Sequence, residues 1–436
     1  MRATKFHSAA VLVAFLAIGC GEDSGKETAI VIDTNNGTDA GSNNSADADT
    51  KTDTGETGCT SNDDCATDPA GPVCIIASGL CSTPAAGALI GSGDGSADSV
   101  TFTEIFRPTN PIEAPDLAFH PTRNELWVLN RRFEVEGVCG SAGFNARCAS
   151  LGGITTIIFN PGEATQRVQY LEDENSWHFM RRPPALAMGA NDTFATCGEA
   201  FTGNYEDDPT MYIGPSLWSS DLAIYAQPSG GNGSHLDMLH ETPWCMGIAH
   251  ERDNVYWMFN GNAGSIDRID FHADHGPGAD NHDDGEVHRY VKGALLRVPG
   301  VPSHMIFDGV KDLYIVDTGN SRVVKLDTTT GIAGGQISPI YEQLAASGLM
   351  NDASLTDVVA PGKLVAPSGI VLHDDILYVS DNATSTFHAF DLEGNELRTL
   401  QTDLPAKSLA GFRVGPDGKI WFGDMLTGAV YRIDPK

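Results

Sequence analysis

From residue 100 onward, apolar and polar positions alternate in short runs bounded by turn residues, and these runs recur as one unit. Each unit opens on a proline or small residue and enters an apolar strand. A polar turn follows, then a second apolar strand that in most repeats ends in Asp or Asn. The second strands read Leu126–Asn130, Thr193–Cys197, Tyr256–Asn260, Leu313–Asp317, Leu377–Asp381 and Ile420–Asp424. A third strand follows each: Gly153–Phe159, Ser220–Ala226, Gly264–Asp270, Ser321–Asp327, Ser385–Asp391 and Gly428–Asp434. Period-two patterning predicts half-buried strands, and repetition over tens of residues predicts identical sheets stacked on one another. Six repeats therefore predict an all-β, six-bladed β-propeller over 99–436. The last repeat stops at Lys436 after three strands. Val100–Phe106 alternates like a strand and would supply the fourth, closing the ring and hiding its edges.

The pattern before residue 100 is different. Arg2 and Lys5 precede an unbroken apolar run, Ala9 to Ile18, and then Gly19-Cys20. The run is too short to span a membrane and reads as a signal peptide, 1–19. A Cys directly after a small residue at the end of such a run resembles the bacterial lipoprotein signal. That resemblance implies lipidation of Cys20, export, and anchoring to a bacterial membrane on the periplasmic or cell-surface side. Residues 20–58 carry nine acids between Glu22 and Glu56 against Lys26 and Lys51. Such a stretch buries too little apolar surface to offset its ordering entropy, so a disordered tether is predicted.

The chain has nine Cys. Setting Cys20 aside leaves an even number in an exported chain, which predicts four disulfides. Cys59, Cys65, Cys74 and Cys81 fall within 59–85, a stretch that resembles the small Cys-rich modules of bacterial surface lipoproteins. A module of that size has almost no core, so two disulfides would hold it. Cys139 and Cys148 bracket a Gly-rich loop and pair locally. Cys197 and Cys245 remain and pair with each other. One ends a second strand and the other opens the next first strand, which puts both at one rim of adjacent blades.

Composition narrows the partners. In 436 residues, 58 Asp+Glu outweigh 27 Lys+Arg, a net charge of −31. Such a balance argues against nucleic acid and anionic headgroups, leaving the lipid anchor as the membrane contact. There is no G-x-S-x-G elbow, H-E-x-x-H or P-loop, so serine-hydrolase, zincin and nucleotide chemistries have no motif here.

Two repeats carry a specific resemblance. VPSHMIFDGVKDLYIVDTGNSRVVKLD and APSGIVLHDDILYVSDNATSTFHAFDL resemble NHL-type repeats, the blades of a β-propeller. Propellers of this kind include peptidyl-α-hydroxyglycine amidating lyases, which hold zinc on histidines at strand starts. Gluconolactonases and strictosidine synthases share the shape. The resemblance implies a site at the mouth of the central channel. This chain departs from the lyase pattern, because His304 follows Pro302-Ser303 and its counterparts are Gly369 and Gly411.

First and second strands are antiparallel neighbours, so first-strand starts and second-strand ends share one rim. That rim gathers Asn130, Asn260, Asp317, Asp381 and Asp424 with Asp116 and His304. Insertions at 131–152 and 198–243 leave from the same rim and add Arg131, Arg132, His235 and His240; His178 lies nearby in Ser-Trp-His-Phe-Met. Two readings follow. In the first, the chain is a binding propeller whose mouth, ringed by Asn130, Arg131, Asn260, Asp317, Asp381 and Asp424, takes a small molecule, peptide, surface protein or glycan. In the second, it is a metal-dependent lyase or hydrolase in which His304 with His178, His235 and His240 holds a divalent ion, zinc or copper. The plainer role for the same acids is turn capping, and for the arginines salt bridging. A separate acidic loop, DFHADHGPGADNHDDGEVHRY, spaces Asp280, His282 and Asp284 like the first half of a calcium site. Val291 stands where that motif needs its last acid, so an EF-hand is not predicted.

Overall fold

The computed structural model describes the backbone of 73–75 and 80–82, and residues 86–91, 95–133, 152–202, 212–228, 232–279 and 281–436. The predicted signal peptide, Cys20, the tether, Cys59, Cys65, Cys139 and Cys148 lie outside the described residues.

The second strand of each blade is covered on both faces by neighbouring blades, which is why it reads as an apolar run rather than an alternation. Every residue of Glu125–Arg131, Val255–Asn260 and Ile420–Asp424 is buried. The outermost strand of the first blade, Arg167–Leu171, has no buried residue.

A first hairpin pairs β1 (Val73–Ile75) with β2 (Leu80–Ser82), its backbone register setting Cys74 opposite Cys81. β3 (Val100–Phe106) belongs to the last blade. Blade one is β4 (Glu113–Phe119), β5 (Glu125–Arg131), β6 (Ile154–Phe159) and β7 (Arg167–Leu171). After α1 (Ser176–Phe179), blade two is β8 (Leu186–Met188), β9 (Thr193–Thr196), β10 (Ser216–Ser219) and β11 (His235–Met238). Blade three is β12 (Cys245–Arg252), β13 (Val255–Asn260), β14 (Ser265–Asp270) and β15 (Glu286–Tyr290). Blade four starts with β16 (Met305–Phe307), β17 (Asp312–Asp317) and β18 (Arg322–Asp327).

Before blade four is complete, the chain leaves it. A hairpin of β19 (Ile332–Ala333) and β20 (Ala346–Asn351) adds to the outer edge of blade three, β20 running parallel to β15. β21 (Leu355–Val359) then returns as the fourth strand of blade four. Blade five is β22 (Pro367–His373), β23 (Ile376–Asp381), β24 (Thr386–Phe390) and β25 (Glu396–Gln401). Blade six is β26 (Leu409–Val414), β27 (Ile420–Asp424) and β28 (Val430–Pro435), closed by β3 in antiparallel register from Val430↔Phe106 to Pro435↔Val100. The ring is therefore a six-bladed propeller closed by the predicted strand. The segment ahead of β3 is tied to the outer strand of blade five: Ile90 is fully buried, and Arg398 of β25 donates to the carbonyls of Ala86 and Gly91.

One predicted strand is placed differently. The third strand of blade two is Ser216–Ser219, not Ser220–Ala226. Turn chemistry overrides the apolar pattern there. Ser219 Oγ accepts from Asp221 N–H at 3.1 Å, Asp221 accepts from Ala223 N–H at 2.9 Å, and Ala226 sits at φ 55.

Cys197 and Cys245 form a disulfide with Cα atoms 5.9 Å apart, joining blade two to blade three. Such a bond is consistent with an oxidising, exported compartment.

Candidate functional site

The inner strands approach so closely that glycine is required where they meet. A Cβ on Gly411 would lie 2.3 Å from Asp116 Oδ1, and one on Gly369 2.2 Å from the Ala410 carbonyl oxygen. Blade four breaks the pattern with His304. Its backbone N–H donates to the Ser368 carbonyl at 2.9 Å, and its ring reaches toward blade one. There Nε2 lies 3.1 Å from the Pro115 carbonyl oxygen and Nδ1 lies 3.5 Å from Asp116 Oδ2. A carbonyl can only accept, so Nε2 carries the proton and Nδ1 is bare in the neutral ring. Burial, followed by the nearby Arg413 charge, pushes the ring's pKa down against the pull of Asp116. Asp116 Oδ2 instead takes its donors from Leu186 N–H at 3.1 Å and Arg413 Nη2 at 3.2 Å. His304 thus ties blade four to blade one across the channel.

The predicted rim acids and amides hold turns. Asp317 accepts from Leu296 N–H at 2.9 Å, on the segment entering its own blade, and pairs with Arg322 at 2.9 Å. Asp381 does the same with Val365 N–H at 2.6 Å and Ala366 N–H at 3.2 Å. Asp424 caps its own turn through Leu426 N–H and Thr427 Oγ1. Asn130 bonds Thr156 Oγ1 and the Glu113 carbonyl, while Asn260 bonds Asp267 and the amides of Asn262 and Ala263. Their polar atoms are taken up by backbone groups and by neighbouring side chains.

Arginines gather at one part of the same rim. Buried Arg131 pairs with Glu113, with Glu199 at 2.9 Å and with the Gly300 carbonyl at 2.6 Å. Glu199 also accepts from Gly300 N–H at 2.6 Å, with Arg297 at 3.6 Å and Arg182 at 4.0 Å. Three guanidiniums therefore surround two carboxylates, a local positive excess in an acidic protein. Arg297 stacks over Trp244 at 4.4 Å, and its buried Nη1, the nitrogen facing Glu199, makes no hydrogen bond among the described residues. Arg132 lies outside this group and pairs with Glu172. Phe133, Leu296 and Val365 are exposed at the rim, and an open depression of about 590 Å³ is lined by Leu295, Leu296, Arg322 and Pro361.

The predicted histidine set does not assemble around His304. His178 and His240 lie 6.3 Å apart, and His235 stacks on Phe179 at 3.7 Å, all beside blade two. The His304 ring meets Pro115 and Asp116 instead. Among the described residues, the groups able to share an ion are His240, His282 and Glu342, and Asp237, His275 and Asp284. Asp237 is held above the usual carboxylate range by burial, and so is Glu241, pushed up to about 8. Sequence reasoning missed Asp237, His275 and Glu342. The acidic loop signalled one end of this cluster, but nothing local marked Asp237 in His-Leu-Asp-Met or Glu342 in the blade-four excursion.

The sequence matches no protein-family model, and no curated protein matches it. Among solved structures it is similar to an auxiliary nutrient binding protein from Bacteroides ovatus at 11% identity, TM-score 0.46, over 79% of this chain and 75% of that one. It is similar to a luciferin-regenerating enzyme at 11% identity, TM-score 0.44, over 77% and 95%. A virginiamycin B lyase from Staphylococcus aureus aligns at 10% identity, TM-score 0.41, over 77% and 99%.

Proposed function

We propose that this chain is an exported NHL-type propeller, lipid-anchored through Cys20, that binds an anionic small molecule or peptide carboxylate at the channel mouth. The observation that carries the reading is the arginine group around Glu199. Arg131 and Arg182 are buried or nearly so, and the Arg297 side chain, 20% exposed, lies over Trp244 with its buried Nη1 3.6 Å from Glu199. A guanidinium presents a planar donor pair that matches a carboxylate, and the Trp244 face holds it in place. Exposed Leu296 and Val365 offer apolar surface for the remainder of such a ligand. The tether would hold this mouth clear of the membrane.

The test is calorimetry with a panel of carboxylate-bearing and neutral small molecules and short peptides. Acidic members should bind, and Arg297→Gln should weaken them at least about tenfold, the scale of one charge-assisted pair. Equal binding of neutral and acidic members, or an unchanged affinity in the variant, would sink the proposal.

A further inference from the structure

A second cluster lies away from the mouth, where the connection between β14 and β15 folds over the outer strand of blade two. Asp237, on β11, is completely buried. Its Oδ1 accepts from Met238 N–H and from His282 Nδ1, both at 2.6 Å. Among the described residues, no group donates a hydrogen bond to its Oδ2. That oxygen faces His275 Nε2 at 3.9 Å, and the same nitrogen is 2.9 Å from Asp284 Oδ1. One ligand atom from each of the three lies within 4.8 Å of the others.

A buried carboxylate oxygen with no donor is unfavourable unless a cation faces it. Ligands about 2.0–2.1 Å from a tetrahedral zinc ion stand roughly 3.3 Å apart. The two measured separations bracket that value, so small side-chain rotations would close the set. We propose that Asp237 Oδ2, His275 Nε2 and Asp284 bind one divalent ion of the zinc class. The fourth position opens to solvent, because the His275 and Asp284 side chains are 17% and 34% exposed. His282 acts from behind, fixing the Asp237 carboxylate through its other oxygen, as outer hydrogen bonds orient metal-site carboxylates. On binding, His275 exchanges its hydrogen bond to Asp284 for the ion and releases any proton held on Nε2. The ion would fasten blade two to the blade-three connection, independently of any ligand at the mouth.

The experiment uses untagged full-length protein, stripped with chelator and titrated with Zn²⁺ by calorimetry, with bound metal counted by elemental analysis. Wild type should take one zinc per chain. His275→Gln and Asp284→Asn should each bind at least about tenfold more weakly. Asp284→Asn keeps one of the two accepting oxygens of a partly exposed loop residue, so its zinc-free melting temperature should fall only slightly while the rise on adding zinc is lost. His304→Gln should bind like wild type. Absence of stoichiometric zinc in wild type, unchanged affinity in both loop variants, or loss of zinc in His304→Gln would each overturn the assignment.

Discussion

Replacing His304 should destabilise the propeller at neutral pH and should do so less as the pH falls. In His304→Ala, the cross-channel bond from Nε2 to the Pro115 carbonyl is lost. A net hydrogen bond contributes about 1 kcal/mol, and a buried carbonyl left without a donor costs about 1–3 kcal/mol. The stranded carbonyl sets the loss, so about 1–3 kcal/mol is expected. The main-chain bonds of residue 304 to Ser368 and Val316 are unaffected. The pH dependence follows from burial, which holds the ring's folded pKa below its free value of 6.5. Below that value the unfolded chain binds a proton that the folded ring refuses. The contribution of His304 is thus fully present above pH 6.5 and is lost as pH falls toward the folded pKa, at up to about 1.4 kcal/mol per pH unit. His304→Gln can keep an N–H donor toward Pro115 but cannot titrate, so it should lose less at neutral pH and lack the slope. Glu241, held near 8, pulls the other way with rising pH, but it does so equally in all three proteins and cancels in the difference. Urea denaturation of wild type and both variants between about pH 5 and pH 8 measures the gap. A gap between wild type and His304→Gln that stays flat or widens on acidification would refute the neutral, buried ring.

Two further outcomes test the scaffold. Cys197→Ala/Cys245→Ala should cost about 4 kcal/mol, from opening a loop with a sequence separation of 48; labelling of either wild-type residue as a free thiol in denaturant would exclude the bond. Deleting 1–85 should leave a cooperatively folding domain, whereas deleting 1–108 removes β3 and buried Ile90 and bares the edge of β28; a second product as stable as the first would disprove closure by that strand.

The elements legible in the sequence are those whose environment repeats. Each second strand lies between two other blades, so its apolar run and polar end recur with the architecture, and its ends were placed to within about a residue. β3 was legible because the last repeat was one strand short. β19 and β20 were not. Ala346–Asn351 is partly exposed along its length and pairs in parallel with β15 of a preceding blade, so no local alternation marks it. In blade two, the Asp and Ser side chains near residue 220 bend the chain where apolar content alone pointed to a strand.

Site residues were legible as positions but not as tasks, because the task depends on what the rest of the chain brings. Asp317, Asp381 and Asp424 do share one rim, yet whether such an acid faces a ligand or a backbone amide depends on the incoming segment. For Asp317 the partner amide belongs to Leu296. His304 shows the same limit from the other side. A histidine among glycines stands out in the sequence, but the group it meets is the carbonyl of Pro115 from the opposite blade rather than a second imidazole. Asp237 is the extreme case. Its place in His-Leu-Asp-Met gives no sign of burial, and only the fold of the 271–285 connection converts it into a fully buried carboxylate beside two histidines. Net charge misleads for a related reason. A total of −31 describes the mean surface, while Arg131, Arg182 and Arg297 come from three separate stretches and meet only because the ring brings blades one, two and four to one mouth.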